Sequence, residues 1–172
     1  MLVRVFYGII FCGCLATCNN PNNKVYSEHV GDIEYDSKID TSNFELCNVT
    51  KYRGNSFQYY SFSKGLQYSG EKIEIVNFFE DNYLMPEMTG ESGYVTIRFI
   101  VNCHGQTGRF RVQEMNLNLT SRRFDERIVN KLYDLTILLD GWEIQKLEGT
   151  PVDYYQYLLF KIENGQLIEI LP

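Results

Sequence analysis

Cys103 and His104 stand side by side in a glycine-flanked turn within the stretch 93–112, GYVTIRFIVNCHGQTGRFRV. A thiol beside an imidazole has four readings: a nucleophile with its base, part of a metal site, half of a disulfide, or surface decoration. Neighbours on an extended segment point to opposite faces, which places the imidazole poorly for activating its own neighbour's sulfur. A third group to orient such a base is not evident either. Zinc needs three or four ligands, and besides the cysteines the chain offers only His29 and His104. The sequence shows no glycine-rich phosphate loop, no Ser-His-Asp order and no HExxH pattern. The carboxylate pairs Glu80-Asp81 and Asp125-Glu126 fall at helix ends or first turns and read as solvated groups. The expectation is a protein that is not an enzyme and uses no cofactor or metal, with Cys103 serving structure.

The cysteine pairing depends on the N-terminus. Arg4 precedes an apolar run, 5–16. The run is too short to cross a bilayer, which takes about 20 apolar residues, and it fits the core of a secretory signal. It closes on LATC (15–18), which resembles a bacterial lipobox, with Thr17 departing from the usual Gly, Ala or Ser. The resemblance implies a signal peptide over 1–17 and a lipid on Cys18, followed by a polar tether over 18–24. Cys12 and Cys14 then leave with the signal, and Cys47 and Cys103 remain. Two cysteines in an oxidising compartment most simply form one disulfide. That bond closes a loop of 56 residues, a constraint of roughly 4 kcal/mol on the unfolded chain.

The elements that must position these residues follow from composition and periodicity. A net charge of −6 without a basic run argues against a nucleic-acid partner. Aromatic residues make up 15% of the chain and 13 of its residues are Tyr, which favours a sheet. Residues 25–65 read as an N-terminal extension with short strands at 44–52 and 56–62, separated by the turn Arg53-Gly54-Asn55. Ser69 is expected to cap a helix whose apolar positions are Ile73, Val76, Phe79 and Tyr83, and Pro86 and Gly90 end it. A hairpin follows over 93–103 and 108–116, with Val95, Ile97, Phe99 and Val101 facing inward. A second helix is expected over 121–139, on the stripe Phe124, Ile128, Leu132, Leu135 and Leu139. A long strand over 152–162, the turn Asn164-Gly165 and a last strand over 166–171 complete the chain. The resulting fold class is α+β: a small antiparallel sheet with two helices packed on one face, in the order α-β-β-α-β-β over 66–172.

The hairpin GYVTIRFIVNCHGQTGRFRV, with Asn102 to Gly105 at its turn, resembles the signature hairpin of the TonB C-terminal domain family. Asp125 and Ile128 match the opening of that family's second helix. Trp142, Gly149, Pro151 and Val152 match its W…G-x-P-V stretch, and YSGEK (68–72) resembles the lead-in to its first helix in Bacteroidetes-like bacteria. The resemblance spans roughly residues 66 to 163. It implies a periplasmic domain that binds a peptide of an outer-membrane receptor by adding strands at a sheet edge. This chain has four prolines and a short tether, unlike the long Pro-rich spacer of an energy transducer, so energy transduction does not follow.

The candidate partner-binding edge is the C-terminal hairpin, through Tyr154, Tyr155, Tyr157, Phe160, Leu167, Ile168 and Ile170. Its last strand either covers the family's peptide-binding edge or offers a new one to an envelope protein, a peptide or a second copy. The expected location is the outer membrane, anchored by lipid alone and facing the periplasm, since no acidic run follows Cys18. Alternatives are a glycan- or small-ligand-binding module using the tyrosine face and, less readily, a thiol-dependent envelope enzyme using Cys103.

Overall fold

A computed structural model of the chain describes residues 32–47, 56–62 and 65–171. The expected signal peptide, Cys18, the tether, His29, the second half of the 44–52 strand and the turn 53–55 lie outside the described residues.

The architecture is α+β, with a five-stranded mixed sheet and two helices. The chain enters the sheet at β1 (Phe57–Gln58), makes one 3-10 turn (Tyr59–Phe62) and then forms helix α1 (Glu71–Asn82). Strands β2 (Gly93–Val101) and β3 (Thr107–Met115) form the expected hairpin, and helix α2 (Glu126–Ile137) follows. A small separate hairpin, β4 (Gln145–Leu147) and β5 (Thr150–Val152), turns at Glu148-Gly149 with φ of 49° and 79°. The long strand β6 (Tyr154–Glu163) and β7 (Gln166–Leu171) close the fold. Asn164 and Gly165, at φ 48° and 80°, make the tight turn that their side chains permit.

The order across the sheet is β1 and β7, both on one side of β6, then β6, β2 and β3. β2 pairs antiparallel with β3 and with β6, and β6 pairs antiparallel with β7. The sheet is not wholly antiparallel as expected, because β1 runs parallel to β6, with Phe57 opposite Tyr154. The stretch 56–62 thus yields only two strand residues before it coils, and 44–47 forms no strand at all. Residues 32–47 instead lie across the sheet face away from the helices. There Ile33, Phe44 and Leu46 pack on Ile100 of β2 and Tyr155 of β6.

Alternation dictates what each sheet face buries. Val95, Ile97, Phe99 and Val101 are wholly buried and join Tyr154, Leu158, Phe160 and Ile162 of β6 beneath the helices. The α2 stripe packs as expected, with Phe124, Ile128, Leu132, Leu135 and Leu139 all buried. The helix itself starts five residues later than its pattern suggested. Asp125 is the N-cap, accepting Arg127 N–H at 2.9 Å, and Ser121 is held in a bridge to Met115. In α1 the buried positions are Ile75 and Phe79, while Ile73 is 58% exposed. Its N-cap is Gly70, at φ 80°, rather than Ser69. Of the expected stripe, Phe79 and Tyr83 are buried and Val76 packs against the core, while Ile73 alone turns outward and Ile75 is buried instead.

Candidate functional site

Two places carry the residues that the sequence singled out. The first is the corner where residues 32–47 meet the β2–β3 turn. Cys47 and Cys103 form a disulfide with Cα atoms 6.0 Å apart. Beneath it lies Asp153, the residue between β5 and β6, which is fully buried. One carboxylate oxygen accepts the Cys103 N–H at 3.0 Å and the other accepts the Cys47 N–H at 2.7 Å. Asn102, 1% exposed, shapes the turn. Its Oδ1 accepts the N–H groups of His104 and Gln106, each at 3.0 Å, and its amide donates to the Glu45 carbonyl at 3.1 Å.

This turn changes the relation between Cys103 and His104. Strict alternation sends neighbours to opposite faces, but residues 102–105 are folded back by the Gly105 N–H donating to the Asn102 carbonyl at 2.9 Å. The sulfurs of Cys47 and Cys103 and a ring nitrogen of His104 lie within 4.8 Å of one another. The expectation that the imidazole stands away from the sulfur is therefore corrected.

The second place is the C-terminal hairpin. The seven residues named as a binding edge divide sharply. Tyr154, Tyr155, Phe160 and Ile170 are buried, Tyr157 and Leu167 are half-buried, and Ile168 is 52% exposed. β6 cannot be an edge, because it has β2 on one side and β1 and β7 on the other. Nor do its tyrosines form an open face. The Tyr154 hydroxyl donates to the Glu143 carbonyl at 2.9 Å beneath the helix layer, and burial pushes its phenol well above the usual range. Tyr155 lies under the N-terminal segment, its hydroxyl accepting the Ile33 N–H at 3.0 Å and donating to Asp32 at 3.1 Å. Tyr157 meets Tyr59 edge-on, with ring centroids 5.6 Å apart.

The edge is β7. It pairs with β6 alone among the described residues. Its register slips between the pairs Lys161–Glu169 and Ile162–Leu167, leaving Ile168 as a bulge. The extra residue lets both Leu167 and Ile170 pack on the main core and turns Ile168 outward. Between β7 and α1 runs a groove of about 330 Å³. Val76, Leu84, Leu167 and Ile168 supply apolar surface to it, and Glu80 and Glu169 supply negative charge. Tyr83 backs it, donating its hydroxyl to the Gly165 carbonyl at 3.0 Å, and burial raises its phenol so that the proton stays on. The Asn164-Gly165 turn is tied down as well: its Asn164 carbonyl accepts the Met88 N–H at 2.7 Å and the Gly165 N–H donates to the Glu91 carbonyl at 2.8 Å.

Sequence reasoning missed Asp153 and the α1 side of the groove. A lone acid inside the apolar run VDYYQYLLF was the available sign of a buried, hydrogen-bonded carboxylate. For Glu80 and Leu84 no sequence sign exists, since their role comes from the neighbouring strand.

Compared with known protein families, with curated proteins and with solved structures, the chain matches none. Fold and sites define an α+β protein with a mixed sheet, a disulfide-bonded corner and a bulged outer strand, β7, beside a helix groove.

Proposed function

We propose that the chain is a lipid-anchored protein of a bacterial cell envelope, built on a TonB C-terminal-like domain, that binds an extended peptide segment of another envelope protein and is not itself an enzyme. The observation that carries this reading is the unpaired edge of β7 running beside the α1 groove. A free edge offers backbone N–H and carbonyl groups to an incoming strand, and a groove next to it selects side chains. The family resemblance in the β2–β3 hairpin and the W…G-x-P-V stretch points the same way, and the order α-β-β-α-β-β from residue 71 onward is compatible with it once the small β4–β5 hairpin is set aside. Glu80 and Glu169 favour a segment that carries Lys or Arg among apolar residues. The lipid on Cys18 and the periplasmic location rest on the N-terminal sequence.

The test is backbone NMR of the labelled protein titrated with extended peptides in which apolar residues alternate with Lys or Arg. Shifts confined to 166–170 and 76–84, lost in Ile168→Lys, support the reading. Binding that maps elsewhere, or concentration-dependent pairing of β7 with a second copy in place of peptide, overturns it. The anchor is tested separately, by whether Cys18→Ala moves the protein from the membrane fraction to the soluble one.

A further inference from the structure

The disulfide corner holds more than a staple. Three potential metal ligands converge there from two distant parts of the chain: Cys47 Sγ, Cys103 Sγ and a ring nitrogen of His104, all within 4.8 Å of one another. In the oxidised protein the sulfurs are committed to each other. In a tetrahedral zinc site, with Zn–S near 2.3 Å and Zn–N near 2.0 Å, the ligand atoms stand roughly 3.5–4 Å apart. Freed sulfurs reach that separation by side-chain rotation alone, and the exposed His104 ring has room to follow.

We propose that, on reduction, this corner becomes a binding site for a thiophilic divalent cation of the zinc class, held by Cys47, Cys103 and His104 with the fourth position open to solvent. Two equivalents of a thiol reductant cleave the S–S bond by successive exchange. They leave as their own disulfide and place one proton on each protein sulfur. Cation binding then forms two metal–thiolate bonds and one metal–imidazole bond and releases the two thiol protons.

What makes the site survive loss of the disulfide is the network around it. Asp153 holds the Cys47 and Cys103 amides from below, with one oxygen each, and neither bond involves sulfur. Asn102 fixes the His104 amide and ties the turn to Glu45, two residues from Cys47. The ligand-bearing backbones therefore stay in place while the sulfurs separate. Such outer hydrogen bonds are what hold ligands in position in built metal sites. Bound metal and disulfide exclude each other, so the redox state decides which one ties residues 32–47 to the sheet.

The experiment uses the full chain with Cys12, Cys14 and Cys18 replaced by Ser, so that Cys47 and Cys103 are its only thiols. Cobalt(II) is titrated into the reduced and the oxidised protein, and zinc is then added to displace it. The expected result is one cobalt per reduced chain, with a thiolate charge-transfer band and tetrahedral d–d bands, and no such bands in the oxidised chain. His104→Ala should weaken binding by at least about tenfold and shift the d–d bands, as expected for loss of a ligand. If the reduced chain loses its native circular dichroism, recovery of that signal on adding zinc supports the site, and failure to recover it overturns it. Absence of the thiolate band, equal binding by the oxidised chain, or unchanged affinity in His104→Ala also overturns it.

Discussion

The buried carboxylate of Asp153 lies 3.0 Å from the Cys103 amide and hydrogen-bonds it while its second oxygen takes the amide of Cys47. The acid thus clamps both ends of the disulfide independently of the sulfur–sulfur bond. Hydrogen bonds to a charged group contribute about 1.5–3 kcal/mol each, and a buried amide left without a partner costs its own desolvation. Asp153→Ala should lower stability by about 2–4 kcal/mol in urea denaturation, even with the disulfide intact. Asp153→Asn keeps one carbonyl acceptor and should lose less.

The N-terminal segment should respond to acid through Asp40. Burial raises its carboxyl, but hydrogen bonds from Arg111 and the Asp36 amide, with the Arg111 and Arg109 charges, bring it below the usual range. Arg111 reaches both carboxylate oxygens, at 2.7 and 2.8 Å. A folded-state pKa below the unfolded one means stability that is present above about pH 4 and lost as the pH falls through the folded value. Asp40→Asn should therefore be less stable than the wild type at neutral pH, and the gap should close in strongly acidic buffer. A gap independent of pH would show that the charge is not what matters.

Close approach, not backbone freedom, explains Gly108. A Cβ there would collide with the Phe44 ring, which lies flat on β3. Gly108→Ala should cost about 1–3 kcal/mol through overpacking. Combined with Phe44→Ala the two losses should fall short of their sum by more than about 0.5 kcal/mol, the mark of coupled neighbours. Denaturation of the four proteins of this cycle measures the coupling.

The bulge in β7 makes two neighbouring isoleucines unequal. Ile170 is 4% exposed and packs on Phe160's side of the sheet, so Ile170→Ala should cost about 2–5 kcal/mol. Ile168→Ala should stay within about 0.5 kcal/mol of the parent, as exposed substitutions do. Equal losses in thermal or urea unfolding would mean that β7 keeps unbroken alternation.

Much of the fold is legible in local pattern. The inward face of β2 and the α2 stripe are dictated by periods of two and of 3.6 residues, because one face of each must leave water. Asn164-Gly165 specifies its turn, since both residues accept positive φ. The expected pairing of Cys47 with Cys103 is present in the structure, although the N-terminal reading from which it was drawn lies outside the described residues. Local pattern misleads at single positions: Ile73 of the α1 stripe is exposed while Ile75 is buried, and the Ile168 bulge puts Leu167 and Ile170 on one side.

Sequence alone is enough for the inward face of β2, the α2 stripe and the Asn164-Gly165 turn, because hydrophobic period and turn chemistry act over a few neighbours. Tertiary packing alone sets β7 at the outside of the sheet, joins β1 to β6 in parallel, and gathers Asp153 and His104 around the disulfide. Those relations join residues some 50 to 100 positions apart. No local preference encodes them; they arise when separate buried faces compete for one common core.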